Sequence, residues 1–428
     1  MPQNTPTTFA LLKARRPDRD SLFDLLVRDG KIAAFGPAGS VALPAAIETI
    51  DAGGLLLFPS FIDAHTHLRE PGFEYKENIT TGLEAALHGG FGHVLCMANT
   101  SPVNDNAAIT SFMLDKARQS HPHGPSLHPV GALSIELEGL ALAPMGELAE
   151  HGVVAISNDG KPVQNNELFR RAVEYAATWN LKVIDHCEDA FLSSGAQMNE
   201  GPNSAELGLK GQPCVGESLQ VARDILLAEY LGLPIHLAHI SCRLSLDLIR
   251  WGKARGVRIT AETCPHYLVL DDSALLSYNT LFKVSPPLRG QDDMLALREA
   301  VADGTIDILA TDHAPHAAHE KDVPFDEAPN GLIGLETALS ITYSLVRVQV
   351  ISEARLEELW SGIPASIFNI AANRFAPGDP ANFFLFDPQT SWVVNRESIH
   401  SRSLNTPWLG QTLHGKVSAH WLKGVKLL

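Results

Sequence analysis

The sequence predicts an α/β protein built on a (β/α)8 TIM-like barrel, with a small β-sandwich domain formed by both termini. Two observations support this fold. Eight short apolar segments recur along the middle of the chain, and segments with helical periodicity lie between them. The two ends contain short β-like segments and turns instead, and neither end has enough apolar residues to form a core alone.

The eight predicted strands are almost continuously apolar, as expected for parallel strands covered on both faces. They span residues 55–63, 93–97, 128–132, 153–157, 182–185, 235–238, 257–261 and 306–310. Residues 75–90 and 217–230 have apolar positions at helical spacing, and the first of these ends at Gly89-Gly90. This alternation favours a closed barrel. A doubly wound open sheet is the alternative, but no GxGxxG motif follows the first strand.

The predicted division places residues 56–374 in the barrel and residues 1–55 plus 375–428 in the small β-domain. The N-terminal part includes FDLLVRDGKIAAFGP (23–37), and the C-terminal part includes FAPGDPANFFLFDP (375–388) and LHGKVSAHWLKG (413–424). Because neither part buries a core alone, we expect the two ends of the chain to pack into one domain beside the barrel.

Composition narrows the class of protein. The 428 residues are 45% hydrophobic and 19% charged, which is typical of a globular chain and excludes disordered and coiled-coil proteins. The net charge of −16 argues against nucleic acid and anionic membranes as partners. No membrane span or signal peptide is predicted. The five cysteines form no CxxC pair, which indicates reduced thiols and a cytoplasmic location.

Polar side chains follow six of the eight predicted strands, at the end where barrel enzymes hold their active sites. They are His65 and His67 after the first strand, Asn99 after the second, Asp159 after the fourth, His186 after the fifth, His239 after the sixth and Asp312 after the eighth. In extended chain His65 and His67 point to the same side. Imidazole and carboxylate groups together at one barrel mouth predict a site for Zn²⁺ or a similar divalent ion.

The number of metal ions, one or two per subunit, is left open by the sequence. Two neighbouring cations need a bridging anion, and Asp159 is the preferred candidate because it directly follows a strand. A carbamylated lysine is the alternative, and Lys161 lies two residues further on. Water bound at such a centre becomes a nucleophile near neutral pH, since its pKa falls to roughly 7. Asp312 is the candidate general acid and base for that reaction.

A substrate with a carboxylate group is predicted by three further residues. Arg69 keeps the alternation of His65 and His67, Asn99 ends the second strand, and His316 follows Asp312 by four residues. A guanidinium, an amide and an imidazole around one cavity can clamp a carboxylate. Such a clamp explains how an acidic protein binds an anionic small molecule.

Several longer motifs carry a family resemblance along nearly the whole chain. They are DAGGLLLFPSFIDAHTHLREPG (51–72), ANTSP (98–102), DHCED (185–189), TAETCPHYL (260–268), KVSPPLR (283–289), ILATDHAPHAAHEKDVPFDEAPNGLIGLETAL (308–339) and SRSLNTPWLGQTLHGKV (401–417). The chain resembles the bacterial class I dihydroorotases of the amidohydrolase superfamily. The resemblance implies zinc-dependent, reversible interconversion of N-carbamoyl-L-aspartate and L-dihydroorotate, the third step of pyrimidine synthesis.

The resemblance also assigns roles to residues and partners to the protein. The implied metal ligands are His65, His67, Asp159, His186, His239 and Asp312. The implied substrate contacts are Arg69, Asn99, His316, Asn330, Gly331 and the residue at position 285. A homodimer and an association with aspartate transcarbamoylase are the partners that the resemblance allows.

The chain departs from the family pattern at three places. Ser285 stands where KxNPPLR has asparagine, so its contact with substrate depends on a shorter side chain. Asn158-Asp159 stands where two acids are frequent, which leaves Asp159 as the only bridging carboxylate there. The tract often written APFG is APNG here, over residues 328–331.

Two alternative functions differ from dihydroorotase in testable ways. A hydantoinase, dihydropyrimidinase or allantoinase usually bridges its metals with a carbamylated lysine and lacks the Arg69 and Asn99 clamp. An inactive scaffold for aspartate transcarbamoylase is expected to have lost metal ligands, whereas all six positions are filled here.

Overall fold

The computed structural model describes residues 7–428, and within them the chain forms two eight-stranded sheets. One sheet is built from both ends of the chain. Its strands are β1 (Phe9–Arg15), β2 (Leu22–Arg28), β3 (Lys31–Pro37), β4 (Thr49–Asp51), β5 (Leu56–Pro59), β16 (Phe383–Val393), β17 (Thr412–Leu422) and β18 (Val425–Lys426).

The second sheet is the parallel barrel, with its strands adjacent in chain order. They are β6 (Phe61–Thr66), β7 (Phe91–Cys96), β8 (Ser126–Ala132), β9 (Ala155–Ser157), β10 (Lys182–Asp185), β13 (Ile235–Leu237), β14 (Ile259–Thr263) and β15 (Ile308–Leu309). A short ladder of β11 (Met198–Asn199) and β12 (Gly211–Gln212) lies in the loop after β10.

Within residues 7–428, twelve α-helices surround these sheets. They are α1 (Ile79–Gly89), α2 (Ala107–Ser120), α3 (Met145–Glu150), α4 (Asn166–Thr178), α5 (Pro202–Leu207), α6 (Val215–Leu231), α7 (Arg243–Ala254), α8 (Gln291–Asp303), α9 (Ala318–Lys321), α10 (Ala338–Arg347), α11 (Glu353–Glu357) and α12 (Ile363–Phe368). No helix in this described part of the chain is long and apolar enough to span a membrane.

The barrel closes between its first and last strands. Thr66, at the end of β6, forms a parallel bridge with His313, and the His67 amide donates to the His313 carbonyl at 2.8 Å. This closure confirms the predicted (β/α)8 barrel and excludes the open-sheet alternative. It also brings the residues after β6 beside those after β15.

The helix predicted over 75–90 begins later, at Ile79, because Asn78 caps it. The Asn78 side chain accepts a hydrogen bond from the Thr81 amide, which satisfies one of the free amides at the helix start. The helix ends at Gly90, whose φ of +88° is accessible to glycine at little cost. The helix predicted over 217–230 is α6, which ends similarly at Gly232.

The strand predicted over 55–63 is wrong as a single element. It is two strands, β5 and β6, and they belong to different sheets. In β5, Leu57 pairs with Leu385 of β16 in the terminal sheet, whereas in β6, Phe61 pairs with Phe91 of β7 in the barrel. Both strands are fully buried, so their continuous apolar pattern hides the change of sheet at Ser60.

Aromatic side chains join the terminal sheet to the barrel. The rings of Phe61 and Phe384 meet edge to face with centroids 4.9 Å apart, and Phe58 stacks on Phe384 at 5.5 Å. The opposite face of the terminal sheet has a separate core, in which Trp421 stacks on Phe383 and Phe9. The domain division at 55/56 and 374/375 stays a prediction. The first six residues of the predicted small domain lie outside the described part of the chain.

Candidate metal centre and active site

The six predicted metal ligands converge at the carboxyl end of the barrel, although they come from five different strand ends. All six are buried. His65 Nε2 lies 3.3 Å from Asp159 Oδ1, and His67 Nε2 lies 3.0 Å from Asp312 Oδ1. His186 Nδ1 and His239 Nε2 are 2.8 Å apart, and each is 3.4 Å from Asp159 Oδ1.

Five of these six side chains form two possible metal-binding triads that share one residue, and Asp312 belongs to neither. The first triad is His65, His67 and Asp159, and the second is Asp159, His186 and His239. Within each triad the ligand atoms all lie within 4.8 Å of one another. The shared carboxylate is Asp159, the residue that the sequence favoured as a bridge. Lys161, the alternative bridge, is exposed, whereas Asp159 lines the central cavity.

The chemistry of these side chains fits a divalent cation. His65 Nε2 is fully buried and has no hydrogen-bond partner, although two carboxylates lie within 3.7 Å of it. Burial alone would lower the pKa of His65, but Asp159 and Glu262 raise it well above its usual range. The cluster therefore favours positive charge at its centre. Imidazole nitrogens with carboxylate oxygens are the ligands that Zn²⁺ accepts.

The two central carboxylates are held in their charged form. Burial by itself would raise the pKa of Asp159, but the facing histidines, His65 above all, hold it well below its usual range. Burial also opposes ionisation of Asp312, while the hydrogen bond from His67 and the charge of His65 lower its pKa. A carboxylate poised this way can bind a cation and can accept a proton from a neighbouring water.

Outer hydrogen bonds orient three of the four histidines, and two of their partners were missed by the sequence analysis. His65 Nδ1 donates to Glu262 Oε1 at 2.9 Å, and His186 Nε2 lies 3.4 Å from Glu188 Oε2. His67 Nδ1 donates to Asn99 Oδ1 at 2.8 Å. The acids within TAETC and DHCED were the available signals, but neither motif shows which histidine its acid faces.

Asp63 is another residue whose part the sequence did not reveal. Its carboxylate accepts hydrogen bonds from the amides of His65, at 3.2 Å, and Thr311, at 3.0 Å. It thereby ties the first barrel strand to the last beside two predicted ligands. Complete burial raises the pKa of Asp63 to about 7.

Five of the six predicted ligands, all except His65, line one wall of a cavity of about 310 Å³. All six residues predicted to contact substrate line the same cavity: Arg69, Asn99, Ser285, His316, Asn330 and Gly331. The Arg69 side chain donates through Nε to the Pro315 carbonyl at 3.2 Å. Because Asn99 Oδ1 accepts from His67, its amide NH₂ is the group left to donate into the cavity.

Two of these side chains form hydrogen bonds to other residues of the protein. His316 donates through Nε2 to the Asn330 carbonyl at 2.8 Å, and burial, with Arg69 nearby, lowers its pKa to about 2. With that proton engaged, neutral His316 has only Nδ1 free, which is a hydrogen-bond acceptor and has no partner. Ser285 donates to Glu188 Oε2 at 3.3 Å.

The backbone is strained at three of these positions. Arg69, His239 and Asp312 have φ angles of +63°, +33° and +48°, values that residues with a Cβ rarely adopt. Gly331, at φ +130°, packs so closely that an added Cβ would lie 2.8 Å from Ala314 Cβ. Strain of this kind concentrates at functional sites, where the surrounding contacts maintain it.

Known structures share this architecture. An L-hydantoinase (dihydropyrimidinase) from Arthrobacter aurescens superimposes with a TM-score of 0.85, covering 98% of this chain and 95% of that one at 22% identity. The dihydropyrimidinase from Brevibacillus agri NCHU1002 has a TM-score of 0.79, also at 22% identity and over the same shares of both chains. Identities this low establish the fold and leave the activity to other observations.

Comparisons of sequence go further. A family model described as dihydro-orotase-like matches residues 54–245. The dihydroorotase of Syntrophus aciditrophicus is 47% identical over 406 residues, which cover 95% of this chain and 94% of the relative. The dihydroorotase of Geotalea daltonii is 48% identical over 396 residues, or 92% of each chain. Identity at this level over nearly the whole sequence shows that the protein belongs to the dihydroorotase family.

Proposed function

We propose that the protein is a zinc-dependent dihydroorotase that interconverts N-carbamoyl-L-aspartate and L-dihydroorotate in de novo pyrimidine synthesis. The observation that carries the proposal is that two triads sharing Asp159 converge beside one cavity, which Asp159, Arg69 and Asn99 all line. This arrangement offers a site for divalent cations beside donors for a carboxylate. Dihydroorotate carries both an amide to be cleaved and a carboxylate to be held.

We propose that His65 and His67 would bind one ion and that His186 and His239 would bind the other. Asp159 would contribute to both sites, and Asp312 would contact the first ion. Support for zinc is the set of imidazole and carboxylate groups, together with the buried, unpartnered Nε2 of His65. Ions bound there would supply Lewis acidity and would lower the pKa of water into the neutral range.

The proposed substrate contacts begin with Arg69, whose partly buried guanidinium would pair with the carboxylate of dihydroorotate. Asn99 would donate its amide NH₂ to the same group or to the ring carbonyl. Ser285, His316, Asn330 and Gly331 would shape the cavity around the ring, and their support is that all four line it. Together these contacts would present the ring amide to the triads.

Asp312 is the proposed proton carrier. In hydrolysis it would accept the proton of the attacking water while the new carbon–oxygen bond forms at the ring amide carbon. When the carbon–nitrogen bond breaks, Asp312 would return that proton to the leaving nitrogen. In the reverse direction the carbamoyl nitrogen attacks the side-chain carboxyl carbon, and protonated Asp312 assists the loss of water.

The class I subgroup is proposed on the motifs HLREPG and DHAPH, which stand at the ends of the first and last barrel strands. A cytoplasmic location is proposed because all five cysteines are free thiols in the structure.

A homodimer is the proposed assembly, with aspartate transcarbamoylase as a further proposed partner. Support for association comes from neighbouring helices α6 and α7, which expose Leu226, Tyr230 and Trp251. Light scattering of the purified protein tests the dimer, and gel filtration after mixing with purified aspartate transcarbamoylase tests the second partner.

The deciding experiment is an assay of the purified protein with Zn²⁺ on dihydroorotate, carbamoyl-aspartate, hydantoin, dihydrouracil and allantoin. Turnover of the first two alone is expected. Activity on hydantoin, dihydrouracil or allantoin without dihydroorotate would identify a different cyclic amidohydrolase. No turnover of any of the five by protein that has bound zinc would favour the scaffold alternative.

A further inference from the structure

A network of buried hydrogen bonds extends from His65 into the barrel interior. His65 Nδ1 is 2.9 Å from Glu262 Oε1, and Glu262 Oε2 is 3.0 Å from His236 Nε2. His236 Nδ1 is in turn 2.7 Å from the Thr260 hydroxyl. His65 and Glu262 are completely buried, and His236 is 2% exposed.

The direction of each hydrogen bond follows from the carboxylate at the centre of this network. A charged Glu262 can only accept, so His65 and His236 must both donate to it. His236 Nδ1 then has a lone pair, which accepts from the Thr260 hydroxyl. A histidine must be neutral to bind a metal, and because the proton of neutral His65 is on Nδ1, its lone pair is on Nε2, the atom that faces Asp159 and Asp312. These hydrogen bonds therefore fix one tautomer of His65, with its ligand atom Nε2 directed into the first triad.

No other candidate histidine has such a partner among the described residues. His67 donates to a neutral amide, that of Asn99. His186 lies 3.4 Å from Glu188, whose side chain is 16% exposed. His239 Nδ1 is buried and has no partner. Only His65 donates to a fully buried carboxylate that a second residue holds in place.

We propose that Glu262 and His236 are positioning residues that strengthen metal binding at the triad of His65, His67 and Asp159. Glu262 would act by fixing the His65 tautomer and by raising the electron density on Nε2, and His236 would act by holding the Glu262 carboxylate. Neither residue lines the cavity. This inference rests on the metal centre of the proposed function.

The first test is Glu262→Gln, which keeps the size of the side chain and removes its charge. Competition with a chromophoric chelator measures the Zn²⁺ dissociation constant, and elemental analysis measures the number of ions bound. We expect affinity at one site to fall by about 10–100-fold. Glu353→Gln is the matched control, because Glu353 is also a buried acid but bonds to Arg15 and Tyr343 outside the cavity. Its Zn²⁺ affinity should equal that of the wild type.

Variants at His236 keep the inference testable if Glu262→Gln does not fold. His236→Leu removes the donor to Glu262 and should weaken Zn²⁺ binding, whereas His236→Gln supplies another donor and should restore it. Thermal unfolding of the metal-free variants separates loss of fold from loss of affinity.

The results distinguish two kinds of failure. The first is that the wild type binds Zn²⁺ but Glu262→Gln and His236→Leu bind it with an affinity within about twofold of the wild type, instead of the expected loss of about 10–100-fold. That result would overturn this inference alone. Wild-type protein that binds no Zn²⁺ would overturn the proposed function, and this inference with it.

Discussion

Asp312 Oδ1 and His67 Nε2 meet at 3.0 Å although the two residues are 245 positions apart in the chain. The contact exists because the barrel closes, which places the segment after the last strand against the segment after the first. It joins the proposed proton carrier to a proposed metal ligand. The reactive carboxylate is therefore held in one position before substrate arrives.

Replacement of this carboxylate by an amide should abolish most of the activity. Asp312→Asn keeps the shape of the side chain but cannot accept and return a proton. We expect kcat for dihydroorotate to fall by about 10²–10⁴-fold, the usual contribution of general acid–base catalysis. Steady-state kinetics measures the effect. Asp322→Asn, at an exposed acid nearby, should retain wild-type kcat, and an active Asp312→Asn enzyme would remove Asp312 from the mechanism.

The two directions of the reaction should respond oppositely to pH. Burial raises the pKa of Asp312, but His67 and His65 outweigh it and lower the pKa overall. Hydrolysis needs the charged form and is favoured as pH rises. Cyclisation needs the protonated form and also consumes a proton, because a carboxylate becomes an amide. Initial rates measured in both directions over the same pH range check this, and identical profiles would contradict the assignment.

The bridging role of Asp159 predicts a change in metal content. Asp159→Asn removes the negative charge that the two triads share, so the pair of cations would repel each other with less compensation. We expect fewer bound Zn²⁺ ions per subunit by elemental analysis. Lys161→Ala is the companion variant, since Lys161 is exposed and should not affect the metal. A loss of zinc in Lys161→Ala would instead support a carbamylated lysine.

Arg69 should govern affinity for the substrate carboxylate. A hydrogen bond to a charged group contributes about 1.5–3 kcal/mol, and each 1.4 kcal/mol is roughly tenfold in affinity. Arg69→Met should therefore raise KM for dihydroorotate by about 10–100-fold, with a smaller effect for a neutral ring such as hydantoin. Arg118→Met, at an exposed arginine paired with Asp115, serves as the control. Equal losses on both substrates would argue against carboxylate recognition.

A pair of histidines away from the active site predicts part of the acid sensitivity of the fold. Burial lowers the pKa of His128 to about 4, and burial together with His128 lowers that of His93 to about 3. Both stay neutral in the folded protein while the unfolded chain takes up protons near pH 6.5. Stability is therefore complete above pH 6.5 and is lost as pH falls toward 4.

His128→Gln removes one of these groups, so its free energy of unfolding should fall less steeply over that pH range than that of the wild type. Urea unfolding at a series of pH values, with the same zinc concentration for both proteins, measures the difference in slope. Parallel curves for the two proteins would show that His128 does not contribute.

The barrel and its candidate ligands could be predicted because they depend on local patterns. A run of apolar residues indicates a buried strand wherever it packs, and parallel strands of a closed barrel all end at the same mouth. Six polar side chains placed directly after strands therefore had to approach one another. His65, His67 and Asp312 required no knowledge of which strand neighbours which.

The remaining features required the tertiary structure. The run 55–63 contains two buried strands, and the only local sign that the chain changes sheet between them is Pro59-Ser60, which does not show which sheet each strand joins. The pairing of Glu262 with His65, and that of Ser285 with Glu188, depends on the direction of side chains from elements far apart in sequence.

The sequence by itself determined the fold class, the strand ends that carry the chemistry and the family. Only the tertiary structure decided which acid faces which histidine, that His316 donates its hydrogen bond to the Asn330 carbonyl, and that two triads share Asp159. The physical reason is that hydrogen bonds depend on distances of a few ångströms and on direction. Those quantities are set when distant segments pack together, and no pattern along the chain contains them.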